Sequence, residues 1–166
     1  MVVGDDVRVL FRRTMVIAGE GTAAIRCPPK AAYEFVLDID RYRQADHKIG
    51  AVHSVVWHGD TAEIRYSGCF RGWTTPAVRQ TITVEPNRRI DVRSKPGTLA
   101  HVMASFHGLF TFDDLGDGTT RVFHREELDL HPAAAWLLAP LLRDWLSADT
   151  PEEVSRMKRL LEDNPS

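Results

Sequence analysis

The chain has 166 residues, 43% hydrophobic and 27% charged, which is the size and composition of one folded domain and excludes a disordered chain. Lys and Arg number 21 against 23 Asp and Glu, a formal charge of −2 without the basic surplus of a nucleic-acid binder. No apolar run reaches the ~20 residues of a membrane span, and Cys27 and Cys69 are too few for a disulfide framework or a four-cysteine metal site.

Residues 1–14 show no clear periodicity and are expected to form an arm or a short strand over Val7–Phe11. Asp5-Asp6, without an apolar segment and cleavage site, does not resemble a signal peptide, so a cytoplasmic location is expected. The Val-, Ile-, Thr- and Ala-rich stretch Met15–Cys27 predicts a first strand with Ala23, Ile25 and Cys27 on one face. Pro28-Pro29 stops pairing, and Pro29 opens a helix to Asp38 whose apolar stripe is Ala32, Phe35, Val36 and Ile39. A second turn or short helix follows over Asp40–Asp46.

Six strands are predicted next: Ala51–Trp57, Ala62–Thr74, Ala77–Val84, Ile90–Ser94, His101–Phe112 and Thr119–Leu130. Turn signals such as Lys95-Pro96-Gly97 and Gly116-Asp117-Gly118 separate them, and links this short permit only an antiparallel meander. Ala133–Asp163 reads as one long helix interrupted near Asp149, where Thr150-Pro151-Glu152-Glu153 has a capping-box pattern. The expected fold class is therefore α+β, with residues 15–163 forming one domain.

One helix cannot cover both faces of about seven strands, so the sheet must curl around it and leave a space at the open end. Alternation places Ile64, Tyr66 and Phe70 on the inner face of one strand, and Ile82 and Val92 on the next two. Phe106 and Phe110 face inward on the following strand, and His124, Glu126 and Leu128 on the last. Leu138, Leu142 and Trp145 of the helix complete an expected ligand-binding wall, with Trp136 as core or lid.

The string from Ala23 to Tyr42, with its Pro28-Pro29 turn and Asp38 to Tyr42 element, resembles the opening of the SRPBCC, or START-like, superfamily. The Gly116-Asp-Gly-Thr-Thr120 hairpin and the Leu-rich terminal helix resemble its polyketide cyclase/dehydrase and lipid-transport branch. Many relatives carry a Trp soon after the Tyr, whereas Tyr42 is followed here by Arg43-Gln44-Ala45-Asp46. The resemblance implies a helix-grip fold and a cavity for a hydrophobic partner: a polyketide, a lipid or a quinone. It also implies either cofactor-free cyclisation or dehydration, a non-catalytic carrier of the coenzyme Q-binding kind, or a protein-interaction module.

Among polar residues, His124 and Glu126 would lie ~7 Å apart on one inward face. A buried carboxylate must be paired or protonated. Two readings stand: a structural hydrogen-bonded network, or a base and an acid acting with Tyr66 on a ketide. Arg71, Trp73 and Arg79 are expected on the outer face, and Cys69 on the face opposite Tyr66. His53 and His58 point to opposite sides with no ligand motif beside them, so neither a metal nor a cofactor is expected. Nucleophile-elbow and phosphate-loop patterns are also missing from the sequence.

Overall fold

The computed structural model describes residues 15–163, and the arm expected over residues 1–14 lies outside them. Strand β1 (Met15–Ile25) is followed by the short helices α1 (Pro29–Leu37) and α2 (Ile39–Tyr42). The meander β2 (Ile49–His58), β3 (Thr61–Phe70), β4 (Trp73–Glu85) and β5 (Arg89–Ser94) comes next. A one-turn helix α3 (Leu99–Met103) precedes β6 (Ala104–Asp114) and β7 (Thr120–Leu130), and α4 (Pro132–Asp163) closes the chain.

The seven strands form one sheet in the order β1-β7-β6-β5-β4-β3-β2, every neighbouring pair antiparallel. This is the helix-grip arrangement expected above. Asp38 joins the two short helices: its carboxylate accepts the N–H of Arg41 and caps α2, which carries Tyr42 into the interior. Two apolar clusters lie along α4. Ile17, Leu130, Ala139 and Leu146 form one, while Ile25, Phe112, Val122, Met157 and Leu161 belong to the other.

Three expected boundaries differ. The strand drawn from Ala62 to Thr74 ends at Phe70, because the turn falls at Arg71 (φ 50°) and Gly72 (φ 82°). Pro76 consequently lies inside β4 rather than between strands. Residues 101–103 belong to α3 rather than to the following strand.

The interruption near Asp149 is absent, and α4 runs through both Pro140 and Pro151. Tertiary packing overrides the local stop signal there. A Cβ on Gly19 would sit 2.4 Å from the Leu146 carbonyl oxygen, and one on Gly21 would sit 2.9 Å from Pro151 Cα. The bare backbone of β1 therefore lies directly on this stretch of helix, and the packing supports its continuation through Pro151.

Candidate functional site

Between the inner face of the sheet and the first half of α4 lies a cavity of about 410 Å³, lined mainly by apolar side chains. Ile64, Phe70, Ile82 and Val92 line it from β3, β4 and β5, and Phe106, Phe110 and Leu128 from β6 and β7. Leu138, Leu142 and Trp145 border it from α4, with Trp145 edge-on to Phe70 at a centroid distance of 4.9 Å. His124, Glu126 and Tyr66 also border the cavity. Cys69, expected on the outer face, lines it as well, since the β3–β4 register shifts between Ser67 and Cys69 and breaks strict alternation. Trp136 is neither core nor lid but 85% exposed. Trp73 is exposed too, whereas Arg79, expected on the outer face, borders the cavity and sets its guanidinium 3.5 Å from Glu63.

One end of the cavity is charged. Lys48 Nζ stands 3.1 Å from Asp46 Oδ1, 3.2 Å from Glu126 Oε2 and 2.9 Å from Asp149 Oδ2, and it also donates to Glu153 Oε2. Glu153 Oε1 accepts the Tyr42 hydroxyl. Asp149 is held from its other side by Arg156 at 3.1 Å. Thr150 Oγ1 lies 3.0 Å from Glu126 Oε2 and 2.8 Å from the Leu146 carbonyl oxygen, so its one proton serves one or the other.

His124 is stacked flat on Phe110, with centroids 3.7 Å apart and planes at 5°. Its Nδ1 lies 3.0 Å from the Leu109 carbonyl oxygen, which only accepts, so Nδ1 carries a proton. Nε2 lies 3.3 Å from Glu153 Oε1 and 3.7 Å from Glu126 Oε1 without a hydrogen bond of good geometry.

These surroundings set the proton affinities. Burial opposes the charge of Glu126, but Lys48 and His124 outweigh it and hold the carboxyl at about 2. Of the two outcomes open to a buried Glu126, pairing is therefore the one realised. Burial raises Asp46, Glu153 adds to the effect, and together they overcome Lys48 and bring it to about 7. Burial would lower His124, yet Glu153 and Glu126 reverse this and raise it. Lys48 likewise stays well above its ordinary value, because Glu126, Asp46, Glu153 and Asp149 overcome the cost of its burial. Burial raises Tyr66, with Asp46 and Glu126 adding to it, so its phenol keeps its proton at neutral pH.

A family model described as polyketide cyclase / dehydrase and lipid transport matches residues 17–162. The chain belongs to this family. Among solved structures it is similar to TTHA0849 from Thermus thermophilus, at 16% identity and a TM-score of 0.73, covering 90% of this chain and 99% of that one. It is also similar to the Zhui aromatase/cyclase from Streptomyces sp. R1128, at 13% identity and a TM-score of 0.67, covering 87% and 95%. Norcoclaurine synthase from Thalictrum flavum has 9% identity and a TM-score of 0.61, covering 91% and 96%. At these identities the likeness is one of fold. No curated protein sequence matches the chain significantly. Among the described residues, no helix is long and apolar enough to cross a membrane.

In this member of the polyketide cyclase/dehydrase family, the polar end of the cavity draws on residues outside the expected set. Tyr42, Asp46, Lys48, Asp149 and Glu153 come from α2, the loop after it and the middle of α4. Glu153 carried a visible signal: it interrupts the buried stripe Thr150, Val154, Met157 and Leu161, a place where a carboxylate needs a partner. Asp46 and Lys48 had none, since a loop has no periodicity from which to infer a face.

Proposed function

We propose that the cavity encloses an apolar, ketide-like small molecule and that its charged end promotes cyclisation or dehydration by proton transfer. The carrying observation is an apolar chamber ending on buried acid and base groups, one of which, Asp46, titrates near neutrality. This changes the division of labour considered above, with His124 as base and Glu126 as acid: Glu126 is ionised and has no proton to give, Asp46 is matched to neutral pH, and the carboxylates beside His124 favour its protonated form.

In this reading Asp46 removes a proton from the carbon between two carbonyls. The enolate carbon forms a bond to a second carbonyl carbon, and His124 protonates the resulting alkoxide. Neutral His124 then removes the next α-proton, protonated Asp46 delivers its proton to the hydroxyl, and water leaves. Both groups return to their starting states. Tyr66 donates a hydrogen bond to a ligand carbonyl, and the walls fix the fold of the chain.

Incubation with a linear polyketone thioester tests this, with mass spectrometry following loss of one water. Wild-type protein is expected to accelerate the reaction, and Asp46→Asn and His124→Gln to lower the rate on the order of 10²-fold. Binding without product would contradict the chemistry and favour the second reading, a lipid or quinone carrier. That reading is supported by the cluster's saturation, since Asp46, Glu126, Asp149 and Glu153 already have protein partners. Lipid or quinone extracted from the purified protein would support it further.

A further inference from the structure

Of the lysine and arginine residues among the described residues, only Lys48 and Arg79 border the cavity. The guanidinium of Arg79 lies within reach of Glu63, and its side chain is 48% exposed. Lys48 has three N–H donors and four carboxylates around its nitrogen: Asp46 at 3.1 Å, Asp149 at 2.9 Å, Glu126 at 3.2 Å, and Glu153. No donor of its ammonium is left for a ligand. His124, the other basic group at this end, is flanked by Glu153 and Glu126 at 3.3 and 3.7 Å. A further anion brought here would meet buried carboxylates whose counter-charges are already committed, in surroundings where water screens little. At this end the groups that remain for a ligand are uncharged, the Tyr66 hydroxyl and the Gln80 amide, while Thr75, Ser94, Thr98 and His101 also border the cavity.

We infer that the cavity selects ligands whose buried end carries an uncharged oxygen (a ketone, quinone, ester or hydroxyl) and rejects a free carboxylate. This rests on the reading of the cavity as a ligand-binding chamber and narrows its ligand class. A fatty acid cannot enter head first, and an acyl chain enters only with its carboxyl masked as an ester or thioester. The reaction that supplies the ligand must therefore leave that end esterified or carbonyl-bearing, and hydrolysis to the acid must come afterwards.

The test uses the full chain at pH 8 and three probes on one skeleton: 2-acetylanthracene, methyl anthracene-2-carboxylate and anthracene-2-carboxylate. Binding is followed by anthracene fluorescence. The ketone and ester are expected to bind, and the carboxylate to bind at least about fivefold more weakly than its ester. A smaller gap in the wild-type protein overturns the inference while leaving the chamber intact. Failure of both uncharged probes to bind would instead overturn the chamber reading itself. Glu126→Gln, which removes one buried negative charge, is expected to narrow the ester-to-acid gap at least about twofold. If that variant does not fold, Asp46→Asn is read in the same way, and an unchanged gap in the folded variant counts against the inference.

Discussion

Tyr42 on α2 donates its hydroxyl to Glu153 on α4, 111 residues further along the chain, at the buried end of the cavity. Its ring stands edge-on to Phe35 at 6.4 Å and to Phe110 at 5.8 Å, so one side chain joins the short helices, the sheet and the terminal helix. Tyr42→Phe keeps the ring and removes the donor. The expected loss is about 1–3 kcal/mol in urea denaturation, the cost of leaving a buried acceptor short of a partner. An unchanged midpoint would mean that the hydroxyl contributes nothing to holding α4.

The cluster gives stability an alkaline limb. The Asp46 carboxyl rises from its ordinary 3.8 to about 7, so the folded state binds more protons than the unfolded one between those values. Its contribution is complete below about pH 4 and is lost as pH rises through about 7. His124, raised above 6.5, acts in the same direction and loses its contribution as pH climbs through its folded pKa. Glu126 works oppositely: lowered from 4.5 to about 2, it stabilises above about pH 4.5 and loses this as pH falls towards 2. Thermal melts are expected to show a maximum on the acid side of neutrality and a falling Tm towards pH 8. Asp46→Asn should flatten that fall, and an equally steep limb in the variant would contradict the assignment.

Filling the cavity should separate binding from folding. Val92 borders the chamber opposite Gly108, over which the Phe106 ring lies, 3.0 Å from where a Cβ would sit. Val92→Phe adds a ring that fills part of the chamber and presses on Phe106. Stability is expected to fall by about 1–3 kcal/mol, the cost of moving that neighbour, and to leave the protein folded. Affinity for 2-acetylanthracene is expected to fall at least about tenfold, as part of the space is taken. Equal affinity in the variant would place the ligand elsewhere.

Gly19 is required for contact between β1 and α4. Its added Cβ would stand 2.4 Å from both the Leu146 carbonyl oxygen and Thr150 Oγ1, and the backbone carbonyl cannot withdraw without displacing the helix. Gly19→Ala is expected to cost about 3 kcal/mol or more in denaturant unfolding. A near-neutral result would show that α4 slides freely on the strand.

Most of the fold was legible because it rests on period and turn chemistry. The stripe Ala32, Phe35 and Val36 announced α1, and the alternation of Val122, His124, Glu126, Leu128 and Leu130 announced the inner face of β7. Local signals failed where tertiary contact outweighs them. Thr150-Pro151 reads as a break, yet the helix continues through it, with the glycines of β1 packed against that turn. At the site, His124, Glu126 and Tyr66 were visible as polar residues on an inward face. The lysine and carboxylates that set their charge were not, since Asp46 and Lys48 lie in a loop and Asp149 and Glu153 are brought in by a helix a hundred residues later.

The most direct test of a hollow, apolar chamber between sheet and α4 is methyl NMR of the protein titrated with 2-acetylanthracene. Saturable shifts are predicted at the methyl groups of Ile64, Ile82, Leu128 and Leu142, which line the cavity, and none at the exposed Val16 and Val56. Shifts confined to surface methyls, or no shift at any concentration the probe reaches, would contradict it.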